Sequence, residues 1–319
     1  MVGVGLAICV IALVARTFPL PNIAALPLAI GAAYVPAAAF LGLMAATSYR
    51  RPLLSAAAAL VLLAGVTVQG PWYYGGEAGS DGQHTALRVL SSNLRKGQAD
   101  PATIVRLAQS NADVITFSEL TPEMVQRLQG AGLDDTFPHS LLEPEPGAGG
   151  IGLWSRHPVT SLTFRSVPNT SMVAAQIQTP DVRFSPIITS VHVMSPLAAD
   201  TNTFEQWRSG IAATKARLDD FADLAGPGAV IVGGDFNSTP DMRQFRDLLT
   251  NGYRDAVEQT GSGFSPTFPV HDWIPPLITI DHILTHNAAA SSIKTVTIPG
   301  SDHRALLATI KVPLDPTAS

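Results

Sequence analysis

The chain has 319 residues, a net charge of −5 and a mean hydropathy of +0.23, and its only cysteine is Cys9. A single cysteine excludes an intrachain disulfide and a thiolate metal site. An acidic balance without a long basic run argues against a surface built to track a nucleic-acid backbone.

The apolar residues are concentrated at the start. The first 70 residues carry three charged side chains, Arg16, Arg50 and Arg51. Apolar runs over 2–15, 23–47 and 52–70 predict about three transmembrane helices, a membrane anchor over 1–70 that contacts the lipid bilayer. A signal peptide is the competing reading of the first run, but that run lacks a basic leader and two further apolar segments follow it. Pro27 and Pro36 are tolerable inside a membrane helix. Arg50 and Arg51 sit in a short link that the positive-inside rule places in the cytoplasm, with Arg16 pointing the other way. The expectation is a multi-pass protein of the cell membrane with everything after Gly70 extracytoplasmic.

The remainder holds 17 of the 20 basic residues against all 25 acidic ones, a net charge near −8. Its length suits one large α/β domain that relies on its own core. Residues 71–86 read as a Gly-rich linker, with Trp72 and Tyr73 at the membrane interface, and 87–319 as the catalytic domain. "LRVLSSNL" reads as a strand and "PATIVRLAQSN" as a short amphipathic helix. "DVITFSEL" is a buried strand. "TPEMVQRLQGAG" opens with a capping Thr and Pro at the first helical position. "GGIGLWSR", "MVAAQIQT" and "FSPIITSVHV" are strand-like, and "TNTFEQWRSGIAATKARLDDFADLA" is the longest helical pattern. "VIVGGDFNSTP" is a buried strand that breaks into a turn, and "DMRQFRDLLTNG" is a short helix. "LITIDHILTH", "SIKTVTIP" and "RALLATIKV" complete the strands. This is a mixed α/β pattern with antiparallel pairing, not a simple βαβ alternation.

Polar, metal-capable residues recur where these strands end: Asn93, Glu119, His192, Asp235 with Asn237, Asp281, and Asp302 with His303. Strand ends of an α/β domain converge on one rim, where ligand sites lie. Carboxylate and amide oxygens without thiolates suit a hard cation such as Mg²⁺, and histidines beside carboxylates suit proton transfer. Together they suit attack on a phosphoester.

"SSNL", "SEL", "SVHVMSP", "GGDFNSTP", "TIDHIL" and "GSDHR" occur in the order seen in the endonuclease/exonuclease/phosphatase superfamily. The chain resembles that superfamily over roughly 87–313. The superfamily includes deoxyribonuclease I, exonuclease III, the neutral sphingomyelinases and inositol polyphosphate 5-phosphatases, and this chain looks like a membrane-anchored bacterial type. The resemblance implies a four-layer α/β sandwich of two packed mixed sheets flanked by helices. It implies that Glu119 binds Mg²⁺ (Mn²⁺ as the substitute), with Asn93 supporting it and Asp302 close by. Asp235 lies near the attacking water and Asn237 holds the phosphate. His303, oriented by Asp281, is the histidine of the acid/base pair, and His192 contacts the phosphate or leaving group. After the first strand the family often shows Asn-x-Asn or Asn-x-Asp; here Arg95 occupies the second slot and is a candidate phosphate contact.

Other residues carry plainer readings. His282 adjoins Asp281 on a strand, points to the opposite face and is assigned to structure. His271 and Asp272 are solvated loop residues. Trp207, with Arg208 beside it on the long helix, packs, and Arg156 and His157 sit in a turn before proline. The expected function is membrane-anchored, Mg²⁺-dependent hydrolysis of a phosphoester in a nucleic acid, a phospholipid or a small molecule, with no protein partner implied. The alternative is a non-catalytic binding module on the same fold. A transporter is excluded because the apolar segments hold no intramembrane acid or base.

Overall fold

The computed structural model describes residues 1–76, 82–198, 202–271 and 273–318. Asp272 and part of the linker, 77–81, lie outside the described residues.

The apolar start forms helices α1 (Val2–Thr17), α2 (Leu26–Gly31), α3 (Val35–Ser48) and α4 (Pro52–Tyr73). Two helical stretches, Ile23–Ser48 and Pro52–Tyr73, are long and apolar enough to cross a membrane, where the sequence predicts about three. The first run ends at Thr17, before the Phe18-Pro19 and Pro21 residues, and its 16 residues fall short. At about 1.5 Å per residue they reach about 24 Å, below the ~30 Å of a bilayer core. The second run is also not one straight helix. Short 3₁₀ turns flank α2 at Ile23–Ala25 and Ala32–Tyr34, and Pro27 and Pro36 each occupy the start of a helix, where a missing N–H is harmless. These pieces divide their packing. Ala32, Val35 and Ala39 join Leu6, Cys9 and Ala58 in a helix-bundle core, while Leu20, Leu26 and Ala29 join the core of the following domain.

That domain contains β1 (His84–Asn93), β2 (Val114–Ser118), β3 (His139–Glu143), β4 (Ile151–Ser155), β5 (Val159–Ser161) and β6 (Thr170–Ile177). It continues with β7 (Ile187–Val193), β8 (Val230–Asp235), β9 (Arg254–Asp255), β10 (Asp281–His286), β11 (Ala289–Thr297) and β12 (Arg304–Pro313). Two six-stranded mixed sheets result, ordered β11-β12-β1-β2-β4-β3 and β5-β6-β7-β8-β10-β9. Each has one parallel pair, β1 with β2 and β7 with β8. The intervening helices are α5 (Pro101–Asn111), α6 (Pro122–Gly130), α7 (Leu133–Thr136), α8 (Thr203–Ala225), α9 (Arg243–Leu248) and α10 (Ala256–Thr260). Local chemistry sets their starts. Asp100 and Thr121 accept the N–H of Thr103 and Met124, each followed by proline at the first helical position.

Three apolar layers hold the sandwich. Leu87, Val89, Ile188 and Ile231 meet between the sheets. Ile104, Met124 and Trp154 pack α5 and α6 outside the first sheet, and Trp207, Phe221 and Phe245 pack α8 and α9 outside the second. Trp207 is fully buried, as its helical position predicts. The strands β3, β5 and β9 carry no clear alternation in the sequence; they are edge strands of 5, 3 and 2 residues, held by their neighbours.

Candidate active site

The register of the second sheet explains why distant residues meet. Asp235 is the last residue of β8. Its lateral partners are His192 on β7 and Asp281, the first residue of β10. In the first sheet Asn93 ends β1, and Glu119 follows β2 directly. His303 precedes β12, which runs antiparallel to β1 and so starts at the same rim. Strand ends and antiparallel strand starts therefore converge from both sheets.

Gly233 and Gly234 act here between strands. A Cβ at Gly233 would sit 2.6 Å from Thr116 Oγ1 of the facing sheet, and one at Gly234 would sit 1.9 Å from the Val191 carbonyl. Only glycine permits so close an approach just before Asp235.

His303 Nδ1 donates to Asp281 Oδ2 at 2.8 Å, and its Nε2 lies 3.8 Å from Asp235 Oδ2. His192 Nδ1 donates to the Ala148 carbonyl at 3.0 Å, leaving Nε2 3.7 Å from Asp235 Oδ2 and 4.0 Å from Glu119 Oε1. Asn237 Nδ2 donates to the Val193 carbonyl at 2.9 Å, and the backbone N–H of Asn237 donates to Asp235 Oδ1 at 2.8 Å. Asn93 Nδ2 bridges two carboxylates, 3.2 Å from Glu119 Oε1 and 3.0 Å from Asp235 Oδ2. Its Oδ1 accepts the Arg95 N–H at 2.8 Å, so in this arrangement Asn93 orients the carboxylates through its Nδ2. Glu119 Oε2 accepts the Lys96 N–H at 2.7 Å. Asp302, at the mouth, faces Arg95 at 3.8 Å.

The backbone is unusual at this rim. Arg95, Lys96, Glu119 and Asn237 all have φ between 47° and 57°. Left-handed backbone in Arg, Lys and Glu is strained, and such strain concentrates at functional sites.

Electrostatics follow from burial. Burial pushes the Asp235 carboxyl up, and the Asp281 carboxylate adds to it, against the pull of His303, His192 and the Asn237 N–H; the result is a pKa of about 6. Burial alone would lower His303, but the Asp281 and Asp235 carboxylates outweigh it and raise its pKa to about 10. A carboxylate and an imidazole side by side, pushed toward neutral and charged forms respectively, can exchange a proton with a bound substrate or water.

The residues fit a hard divalent cation. Asp235, Asp281 and His303 each offer one ligand atom, all within 4.8 Å of one another. Glu119 adds two carboxylate oxygens across Asn93. Oxygen donors dominate, as Mg²⁺ and Mn²⁺ prefer.

All eight candidates come together. Glu119, His192, Asp235, Asn237, Asp302 and His303 line one cleft of about 810 Å³, and Asn93 and Asp281 lie directly behind, bonded to these side chains. His282 points away, as expected: Nδ1 bonds Asp255 Oδ2 at 2.7 Å and Nε2 the Ser238 carbonyl at 3.0 Å. His271 is exposed beside a neighbouring groove, and Arg156 is spent on the carbonyls of Ala112 and Gln109. Sequence reasoning missed the Ala148 carbonyl, the Lys96 N–H and the Asp255 partner of His282. A backbone group leaves no mark in a sequence, and Asp255 sits on a strand of two residues.

A family model described as Endonuclease/Exonuclease/phosphatase family matches residues 90–303, and the chain belongs to that family. It is a metal-dependent hydrolase of phosphoester bonds. Among solved structures it is similar to a humanized D. rerio TDP2 carrying 14 mutations, at 18% identity and a TM-score of 0.56, covering 70% of this chain and 98% of that one. A 3'-5' exonuclease (NExo) from Neisseria meningitidis gives 19% identity, a TM-score of 0.56 and coverage of 70% and 98%. A family protein from Bacteroides thetaiotaomicron gives 15%, 0.56, and 72% and 98%. These likenesses establish the fold. No curated protein matches the chain.

Proposed function

We propose that the protein is a membrane-anchored, Mg²⁺-dependent phosphodiesterase whose catalytic domain lies outside the cytoplasm. The observation that carries this reading is the Asp281–His303–Asp235 array set beside Glu119 on the floor of one cleft. Two apolar helical stretches joined through Arg50 and Arg51 support the anchoring and its orientation.

Glu119 would hold the cation, with Asn93 orienting it and Asp302 at the mouth. When bound, the cation supplies Lewis-acid polarisation of a phosphoryl oxygen. Asp235 takes the proton from the attacking water, since a base with a pKa of about 6 is well matched to neutral pH. Asn237 Nδ2 donates to the Val193 carbonyl at 2.9 Å and meets His192 Nε2 at a long 3.5 Å; a bound phosphoryl oxygen would take the second N–H from that long contact. His303, held by Asp281, contacts the phosphate and returns a proton to the leaving oxygen. His192 Nε2 supplies a further contact at the same centre. Related structures are described as holding DNA products, a single strand with D. rerio TDP2 and a hairpin with NExo from Neisseria, which keeps nucleic acid among the candidate substrates.

The test is hydrolysis of bis(p-nitrophenyl) phosphate by the full chain in nonionic detergent. Turnover should require Mg²⁺ or Mn²⁺, stop with chelator, and fall by about 10²–10⁴-fold in Asp235→Asn. Turnover indifferent to chelator would refute the reading. A folded protein inert with either metal would favour a non-catalytic binding module.

A further inference from the structure

The N-terminal helices build part of the catalytic cleft. Leu26 and Ile30, both on α2, line the same cleft as Glu119, Asp235 and His303. The wall they start continues over Val167, Met194, Leu197 and Ile278. It is firmly attached, because Leu26 shares a core with Trp207 and Phe236. Arg16 at the end of α1 and Gln69 on α4 both bond Asp241 Oδ1, at 2.7 and 2.8 Å, six residues after Asp235.

We propose that the substrate is an amphiphilic phosphoester drawn from the bilayer, with its phosphate at the Asp235–His303 centre and its hydrocarbon along the Leu26–Ile30 wall. This rests on the phosphodiesterase reading above.

Three independent observations point the same way. The first is level. α4 has 22 residues, about 33 Å of helix, with Arg51 before its first residue and Trp72 and Tyr73 at its last turn. That spans a hydrocarbon core of about 30 Å and places the cleft at the interfacial end. The second is exposed apolar surface. Among the described residues after 75, the exposed large hydrophobics are Met194, Leu197, Leu224, Phe264, Trp273 and Leu277. All but Leu224 surround the cleft, its neighbouring groove or the helix ends. Phe264 meets the Tyr34 ring edge-on at 5.8 Å, and the Tyr34 hydroxyl donates to the Leu277 carbonyl. Such a patch is unfavourable in water and favourable at a lipid surface. The third is charge. Among the described residues, Arg95 and Lys96 are the only Lys or Arg side chains lining the cleft, and Phe268 the only Phe, Tyr or Trp. A nucleic-acid track needs a longer run of cations and several stacking rings.

A homologous series of alkyl p-nitrophenyl phosphate diesters (methyl, butyl, octyl) tests this with the full chain in nonionic micelles. The leaving group is constant and only the chain grows. We expect kcat/KM to rise at least tenfold from methyl to octyl. In Ile30→Asn/Leu197→Asn the octyl-to-methyl ratio should fall at least fivefold. The wild-type series stands alone if that variant fails to fold. A flat series with steady turnover overturns the inference and leaves the phosphodiesterase reading standing. Faster cleavage of a single-stranded oligodeoxynucleotide than of the octyl diester overturns it equally. Absence of turnover on every diester with metal present overturns both.

Discussion

Two His–Asp pairs of nearly equal length stand back to back on one strand. Asp281 and His282 are neighbours on β10 and face opposite ways. Asp281 holds His303 at 2.8 Å and Asp255 holds His282 at 2.7 Å. The difference lies in the second ring nitrogen. His282 Nε2 is bonded to the Ser238 carbonyl, its side chain is fully buried, and Phe245 lies 4.0 Å from its ring. His303 Nε2 has Asp235 at 3.8 Å, beyond hydrogen-bond distance, and opens on the cleft. A dyad whose four polar ends are satisfied braces a core. The same dyad with one nitrogen left over can move a proton.

That contrast sets the expected effects, largest first. His303→Ala should lower turnover of bis(p-nitrophenyl) phosphate per folded molecule by about 10²–10⁴-fold, and also lower the unfolding temperature by removing the buried partner of Asp281. Asp255→Ala should lower stability alone. Removing one partner of a buried pair destabilises by about 3–5 kcal/mol, read by urea unfolding, with turnover per folded molecule near that of the unaltered chain. Similar activity losses in both variants would dissolve the distinction.

A smaller effect depends on pH. The folded-state pKa of His303 is raised to about 10 from an ordinary 6.5. Its contribution to stability is therefore fully present below pH 6.5 and is lost as pH rises through about 10. In metal-free protein the gap in unfolding temperature between the unaltered chain and His303→Gln should narrow steadily from pH 7 to about 10.5. Asp235 acts in the same sense at lower pH: its pKa is raised from 3.8 to about 6, so its contribution is present below pH 3.8 and is lost as pH rises through about 6 in the metal-free fold. The smallest effect is at the surface. Lys215 and Asp219, one helical turn apart on α8 at 2.9 Å, are both partly exposed. Lys215→Ala should cost only about 0.3–0.5 kcal/mol by the same unfolding assay and leave both dyads untouched.

The cleft was largely legible before the structure because its residues are strand-end residues. An apolar run that stops on Asp, Glu, Asn or His is visible locally, and "GDFN" with "SDH" marks two such stops. Asp281 and His282 show why facing was also legible: alternate residues of a strand point oppositely. Asp255 was not legible, because two residues of edge strand carry no period. In the N-terminal segment the first apolar run forms a helix of only 16 residues, short of a span, so two stretches and not about three are long enough to cross a membrane. Residues 23–47 read as one apolar run, yet their pieces divide between the helix bundle and the domain core. Hydropathy records how apolar a side chain is, not which apolar surface it meets.

The sequence alone pointed to the α/β class, the family and eight candidate site residues, because periodicity, strand-end chemistry and motif order are all local properties. Tertiary structure decided which histidine keeps a free nitrogen and which is bonded at both. It also decided that Arg16 and Asp241, 225 residues apart, meet at 2.7 Å, and that Leu26 and Ile30 wall the cleft. Those outcomes depend on how whole layers pack, and close packing brings together groups whose separation along the chain carries no signal.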